Sequence, residues 1–193
     1  MELVPVGRDA VLVEVDDSGA AVDLAAWARE RRLARDVVPG ARSVLLDGLL
    51  DREALPGVLA DWTPGEAVSG GLVEIPTVYD GPDLDAVAEQ WGCSVDEVVS
   101  RHRATEFVSA FCGFAPGFAY LSGLDRPVSR LETPRTRVPA GSVALAGTWC
   151  GIYPTASPGG WRIIGRTDAS LWDVDRDSPA TLAPGTRVRF VAT

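Results

Sequence analysis

The sequence predicts a two-part α+β protein, with a small ferredoxin-like α+β module in residues 1–78 and a mainly β barrel or sandwich in residues 79–193. Three observations carry this. The first 70 or so residues alternate β-rich runs with helical periodicity, as strand–helix–strand units do. After Thr105 the helical periodicity stops, and short extended runs recur between Gly, Pro, Ser and Asp, the pattern of many short strands. The change of texture near residue 80 marks the boundary between the two.

Taken in order, Val11–Val15 is a β-rich run closed by the turn residues Asp16, Asp17, Ser18 and Gly19. Leu24, Trp27, Ala28 and Leu33 then recur at helical spacing, with the charged residues Glu30 to Arg32 on the other face. Val37 to Asp47 is extended around Ser43–Leu46. Leu50 to Trp62 offers a second helix, which Pro56 should kink or split and Thr63-Pro64-Gly65 should stop. Leu72 to Tyr79 completes the module as a third extended stretch. Beyond it, Leu84, Val87, Ala88 and Trp91 form the apolar side of a short helix, and Ser94-x-x-Glu97 is a capping box that opens another. The barrel strands are expected at Phe107–Phe111, Gly141–Ala146, Trp161–Ile164, Ser170–Val174 and Arg187–Ala192.

Composition removes several functions. A net charge of −9 argues against nucleic-acid binding, which needs concentrated positive charge. All 18 basic residues are arginine, so neither a lysine Schiff base nor a P-loop lysine is available. No apolar run approaches the roughly 20 residues that span a bilayer. Three cysteines at unrelated spacings suit a reducing, cytoplasmic setting better than a disulfide framework. One histidine and scattered cysteines offer no zinc site and no other metal site. Neither Ser142 nor Ser157 lies in a Gly-x-Ser-x-Gly elbow. Cys112 shares an alternating apolar face with Val108, Ala110 and Phe114, so it reads as a core residue rather than a nucleophile.

Chemistry is expected elsewhere. His102, the single histidine, falls on the apolar side of its helix with Val95, Val98 and Val99. It is therefore either a helix-end histidine satisfied within the protein or a proton carrier beside a groove. Arg135, Arg137 and Arg166 sit in glycine–proline-rich text, each able to present a planar fork to a carboxylate or phosphate or simply to brace a loop. Tyr153 and Trp161 offer an aromatic wall to such a group. Ser157-Pro158-Gly159-Gly160 offers backbone that can approach a ligand closely, without a Walker or dinucleotide fingerprint.

The wording of this region resembles one family. The matching text is Gly113-Phe114-Ala115-Pro116-Gly117-Phe118, Thr133-Pro134-Arg135, Val138-Pro139-Ala140-Gly141-Ser142-Val143 and Gly151-Ile152-Tyr153-Pro154. It continues in Ser157-Pro158-Gly159-Gly160-Trp161 and Ile164-Gly165-Arg166-Thr167, with Val73–Pro76, Tyr79-Asp80 and His102 upstream. The chain resembles the B component of bacterial 5-oxoprolinase, the family of the Kip-type histidine-kinase inhibitors, also described as allophanate hydrolase subunit 1. That family is similar to half of the carboxyltransferase region of urea carboxylase. The resemblance implies a cyclophilin-like barrel in residues 79–193 and ATP-dependent opening of 5-oxoproline to L-glutamate. It also implies two partners, a C component with a related barrel and an A component, and a chain that is inactive alone. It makes His102 an active-site residue, and the periodicity of its helix is expected to place it beside the Phe114–Tyr120 loop and close to one of the three arginines. Substrate contacts are expected from Phe114, Pro116, Gly117, Tyr153, Ser157, Gly159, Gly160, Arg135, Arg137 and Arg166. Where relatives carry Thr or Ser after the histidine, this sequence has Arg103. The family leaves two other readings open: inhibition of a sensor histidine kinase, and the carboxyltransferase half of a biotin-dependent urea carboxylase.

Overall fold

The computed structural model of the chain describes residues 1–65 and 70–193. The chain divides into two compact units, Met1–Ser69 and Gly70–Thr193.

The first unit pairs four strands, β1 (Glu2–Val6), β2 (Ala10–Glu14), β3 (Ala34–Pro39) and β4 (Ser43–Leu49), in the order β1-β2-β4-β3, every pair antiparallel. Helix α1 (Ser18–Glu30) starts where the Asp17 carboxylate accepts the Ala20 N–H at 2.8 Å, satisfying one of the donors a helix start leaves free. It lays Ala21, Leu24, Ala25 and Ala28 against Val11, Val13, Val44 and Leu46 of the sheet. Helix α2 (Leu55–Leu59) is only five residues long. Pro56 stands in its first turn, where its missing N–H costs nothing, so the proline shortens the helix rather than kinking it.

This unit is not the expected βαββαβ module. β1 joins it as an unforeseen hairpin strand. Leu72–Thr77, read as the closing strand of a second strand–helix–strand unit, leaves it altogether. That segment, β5, runs parallel to β13 (Arg187–Ala192) from Arg187↔Leu72 to Ala192↔Thr77. The division therefore falls before residue 72 rather than at 78/79: six paired residues bind β5 to the second unit, where Ile75 is buried among the core side chains.

The second unit is mainly β. Its large sheet has the order β12-β9-β10-β7-β6-β13-β5, using β6 (Phe107–Cys112), β7 (Ala119–Ser122), β9 (Ser142–Ala146), β10 (Trp149–Ile152) and β12 (Arg162–Arg166). The ends nearly meet. Val78 and Arg166 exchange backbone hydrogen bonds at 2.9 Å, and Gly81 and Asp83 donate theirs to Ile164 and Ile163, so the sheet closes like a barrel. Helices α3 (Leu84–Trp91) and α4 (Val95–Ala104) contribute Leu84, Val87, Trp91 and Val98 to the core, beside Phe107, Leu121, Ile164 and Phe190. The Ser94–Glu97 capping box opens α4.

Strand β9 is buried at every position. Val143 and Leu145 face the main core, while Ala144 and Ala146 face a second cluster with Phe118, Val138, Tyr153 and Trp161. A two-stranded ribbon of β8 (Arg135–Val138) and β11 (Ser157–Gly159) accompanies that second cluster. Ser170–Val174, expected as a strand, makes only an isolated bridge between Trp172 and Ala180.

Candidate functional site

The ribbon and the barrel seam shape two clefts. The first, of about 410 Å³, brings Arg135, Arg137 and Arg166 together with Asp80, Ser142 and Gly165. Strand β8 supplies Arg135 and Arg137 from alternate positions on one side, and the closing strand β12 supplies Arg166. Their roles differ. Arg135 Nη2 lies 2.9 Å from Oδ1 of Asp83, a carboxylate 5% exposed, whose Oδ2 accepts the Ile163 N–H at 2.7 Å. Arg162 stands 3.7 Å from the same carboxylate. Asp83 thus ties β8, β12 and the start of α3 together. Although it stands at the start of α3, it makes no side-chain cap bond among the described residues and spends its oxygens across the fold. Arg166 is paired with Asp80 at 2.9 Å on the exposed side. Arg137 makes no ion pair among the described residues. It is the guanidinium free to meet an anion. Ser142 donates to the Pro139 carbonyl at 2.8 Å.

The second cleft, of about 260 Å³, is lined by Phe114, Phe118, Tyr120, Tyr153 and Trp161, with Arg130 and the Pro158-Gly159-Gly160 backbone. Phe118 sits edge-on to Tyr153 and to Trp161, each at 5.5 Å. Burial raises the Tyr153 phenol above its usual value. Tyr153 and Trp161 stand together in this cleft and not in the one that holds the three arginines; Arg135 touches this side only through a 3.5 Å bond to the Trp161 carbonyl. Arg130 was not legible as a site residue, since a lone arginine in Pro127–Leu131 has no motif around it. Pro116 and Gly117 shape the turn that presents Phe114, with Phe118 N–H bonded to the Ala115 carbonyl and Gly117 at φ +84°; they line neither cleft. The Ser157 hydroxyl oxygen is buried without a hydrogen-bond partner among the described residues.

His102 is placed elsewhere. It is fully buried in the barrel core, 4.4 Å from the Phe190 ring and 5.0 Å from Phe107. Its Nδ1 lies 2.8 Å from the Tyr79 hydroxyl and its Nε2 3.4 Å from Cys150 Sγ. A neutral imidazole has one donor and one acceptor nitrogen, so either tautomer satisfies both neighbours. Burial pushes its pKa down to about 3, and raises those of Tyr79 and Cys150. The expectation that His102 stands beside the Phe114–Tyr120 loop and an arginine is corrected by these partners: the apolar face of α4 carries it inward with Val98, into the core. Cys112 is partly buried, its thiol 3.5 Å from the Leu182 carbonyl and its pKa raised by burial. Among the described residues no group of three or more His, Cys, Asp or Glu could hold a metal ion, and no helix is long and apolar enough to cross a membrane.

The second unit is thus a nearly closed barrel that bears an arginine cleft and an aromatic cleft. Residues 1–182 match the family model of the carboxyltransferase domain, subdomain C and D. Two curated relatives extend the match. The B subunit of the 5-oxoprolinase of Escherichia coli O157:H7 is 38% identical, over 96% of this chain and 93% of that protein. The B subunit of the Haemophilus influenzae 5-oxoprolinase is 33% identical, over 99% of this chain and 97% of that one. The chain belongs to the family of 5-oxoprolinase B subunits. Among solved structures, that of TTHA0988 superposes with a TM-score of 0.79 at 34% identity, covering 95% of this chain; this chain spans 40% of that one's length. The Kluyveromyces lactis urea amidolyase, at 20% identity and a TM-score of 0.74 over 99% of this chain and 15% of that one, shares the fold.

Proposed function

We propose that this chain is the B component of an ATP-dependent 5-oxoprolinase that opens 5-oxoproline to L-glutamate together with the A and C components. The observation that carries the reading is the match to proteins of that name along almost their whole length. The geometry supports a site completed by a partner. Neither cleft is lined by a histidine, a cysteine or another evident nucleophile–base pair, and the one histidine is in the core. What the chain supplies is recognition of negative charge. A lactam is an unreactive amide. ATP would transfer its γ-phosphoryl group to the lactam oxygen and leave as ADP; one water would add to the activated carbon and the C–N bond would open to an acyl phosphate, which a second water would hydrolyse to L-glutamate and phosphate. In that scheme the arginine cleft holds the phosphate-bearing partner, with Arg137 as the free cation and Arg135 and Arg166 held in place by Asp83 and Asp80. The likeness to the fungal amidolyase speaks to fold and does not bring carboxyl transfer into this reading.

The test is reconstitution with candidate A and C components and assay of glutamate formed from 5-oxoproline and ATP. Turnover should need the partners; turnover by the chain alone would sink the split site, and none from the assembled complex would sink the activity. Arg137→Ala should raise the KM for ATP by roughly tenfold to a hundredfold, the worth of a hydrogen bond to a charged group, with an unchanged melting temperature. An unaltered KM removes Arg137 from the site.

A further inference from the structure

The aromatic cleft is a separate construction from the arginine cleft, and its features point to a ligand of different chemistry. Its volume, about 260 Å³, falls below the roughly 300–1,000 Å³ of pockets for drug-sized molecules, so it suits a small metabolite rather than a nucleotide. Its walls are rings. Phe118, Tyr153 and Trp161 are buried in their own cluster, and Phe114 stands at the mouth, 62% exposed, 5.3 Å from Phe118 and 6.3 Å from Tyr153.

Phe114 reaches that position at φ +67°. The left-handed region costs a residue with a Cβ on the order of 1–2 kcal/mol, and such outliers gather at ligand sites. Only Arg32 shares this trait among the described residues without being glycine. The floor is backbone: a Cβ on Gly159 would overlap the Tyr153 hydroxyl, so that approach is open to glycine alone. The single cation is Arg130, which makes no ion pair among the described residues. Its guanidinium stands beside Gly160, where a Cβ would come 3.6 Å from Nη2. The Leu131 N–H bond to the Gly160 carbonyl, 2.8 Å, pins its loop there.

From this we infer that the aromatic cleft seats a small, flat ring bearing one carboxylate, with the ring against the aromatic walls and the carboxylate on Arg130. A polyphosphate, which needs several cations, belongs instead in the larger arginine cleft. The inference rests on the proposed function, under which the ring acid is 5-oxoproline, a five-membered lactam carrying a carboxylate. The two clefts then divide the co-substrates between them, and Arg130 becomes the residue that selects for the acid.

Equilibrium dialysis of the complex with 5-oxoproline, and separately with ATP, tests it. Dialysis reads binding without turnover, so a complex that binds both and turns over neither counts against the proposed activity and leaves the cleft assignment standing. Arg130→Gln should weaken 5-oxoproline binding by roughly tenfold to a hundredfold, the range for a charge-assisted hydrogen bond, and change ATP binding less than about twofold, with Arg130→Lys recovering part of the loss. Phe114→Ala should weaken 5-oxoproline several-fold. 2-Pyrrolidinone, the same ring without the carboxylate, should compete equally well in the native protein and in Arg130→Gln. Circular dichroism melts confirm that each variant is folded. Unchanged 5-oxoproline binding in folded Arg130→Gln, an equal loss for ATP, or no 5-oxoproline bound by the native complex at millimolar concentration overturns the inference.

Discussion

Removing the Asp83 carboxylate should loosen the barrel seam and the arginine cleft together. Asp83→Ala leaves three groups without their partner: Arg135, 2.9 Å away, Arg162, 3.7 Å away, and the buried Ile163 N–H, 2.7 Å away. Breaking one side of a buried ion pair costs about 3–5 kcal/mol. The arginine side chains are 28% and 21% exposed, so water partly replaces the lost anion and draws this figure toward its lower end. The stranded N–H adds about 1–3 kcal/mol. A total of about 4–6 kcal/mol results. For a unit of this size 1 kcal/mol moves Tm by roughly 3–5 °C, so Asp83→Ala should melt about 12–30 °C lower by circular dichroism. Asp83→Asn keeps an acceptor for Ile163 and gives up the charge, and should lose about 1–2 kcal/mol. A double-mutant cycle of Asp83→Ala with Arg135→Ala should return a coupling of about 1–3 kcal/mol. A melt within about 3 °C of the native protein, or additive single effects, would refute the claim that this carboxylate joins β8 to β12.

Two further outcomes follow from the core and the seam. The folded pKa of His102, about 3, lies below the roughly 6.5 of an unfolded histidine, so between those values the unfolded chain binds a proton that the native one refuses. The stability from neutral His102 is fully present above about pH 6.5 and is lost as pH falls toward about 3, at up to about 1.4 kcal/mol per pH unit. As the only histidine, its replacement in His102→Gln should flatten the fall in denaturant-measured stability between about pH 6.5 and 5; an identical slope disproves the assignment. At the barrel seam, a Cβ on Gly165 would come 2.5 Å from the Val78 carbonyl oxygen. Gly165→Ala should therefore cost about 1–3 kcal/mol, while Gly160→Ala, with its nearest atoms at 3.6 Å, should melt close to the native protein; equal melts would count against a tight closure.

Local chemistry was legible in the sequence wherever neighbours along the chain decide it. The Ser94–Glu97 box opens α4 because both partners lie within one turn, and glycines and prolines marked the loops because they limit backbone angles wherever the chain places them. The family text around Phe114–Arg166 likewise named most of the residues that line the two clefts. Pairing between distant segments was not legible. Leu72–Thr77 has an extended pattern that fits either unit, and only its ladder with Arg187–Ala192 assigns it to the barrel. The periodicity of α4 put His102 on the inward face but could not tell a groove from a core; Phe107 and Phe190, which enclose it, come from remote strands. The arginines and aromatics share one stretch of sequence yet part into two clefts, because β8 and β12 carry the arginines while the rings come from Phe114–Tyr120, Tyr153 and Trp161. Asp83 and Arg130 carried no signal at all, since a carboxylate that reaches Ile163 and a guanidinium beside Gly160 acquire their partners only when the barrel closes.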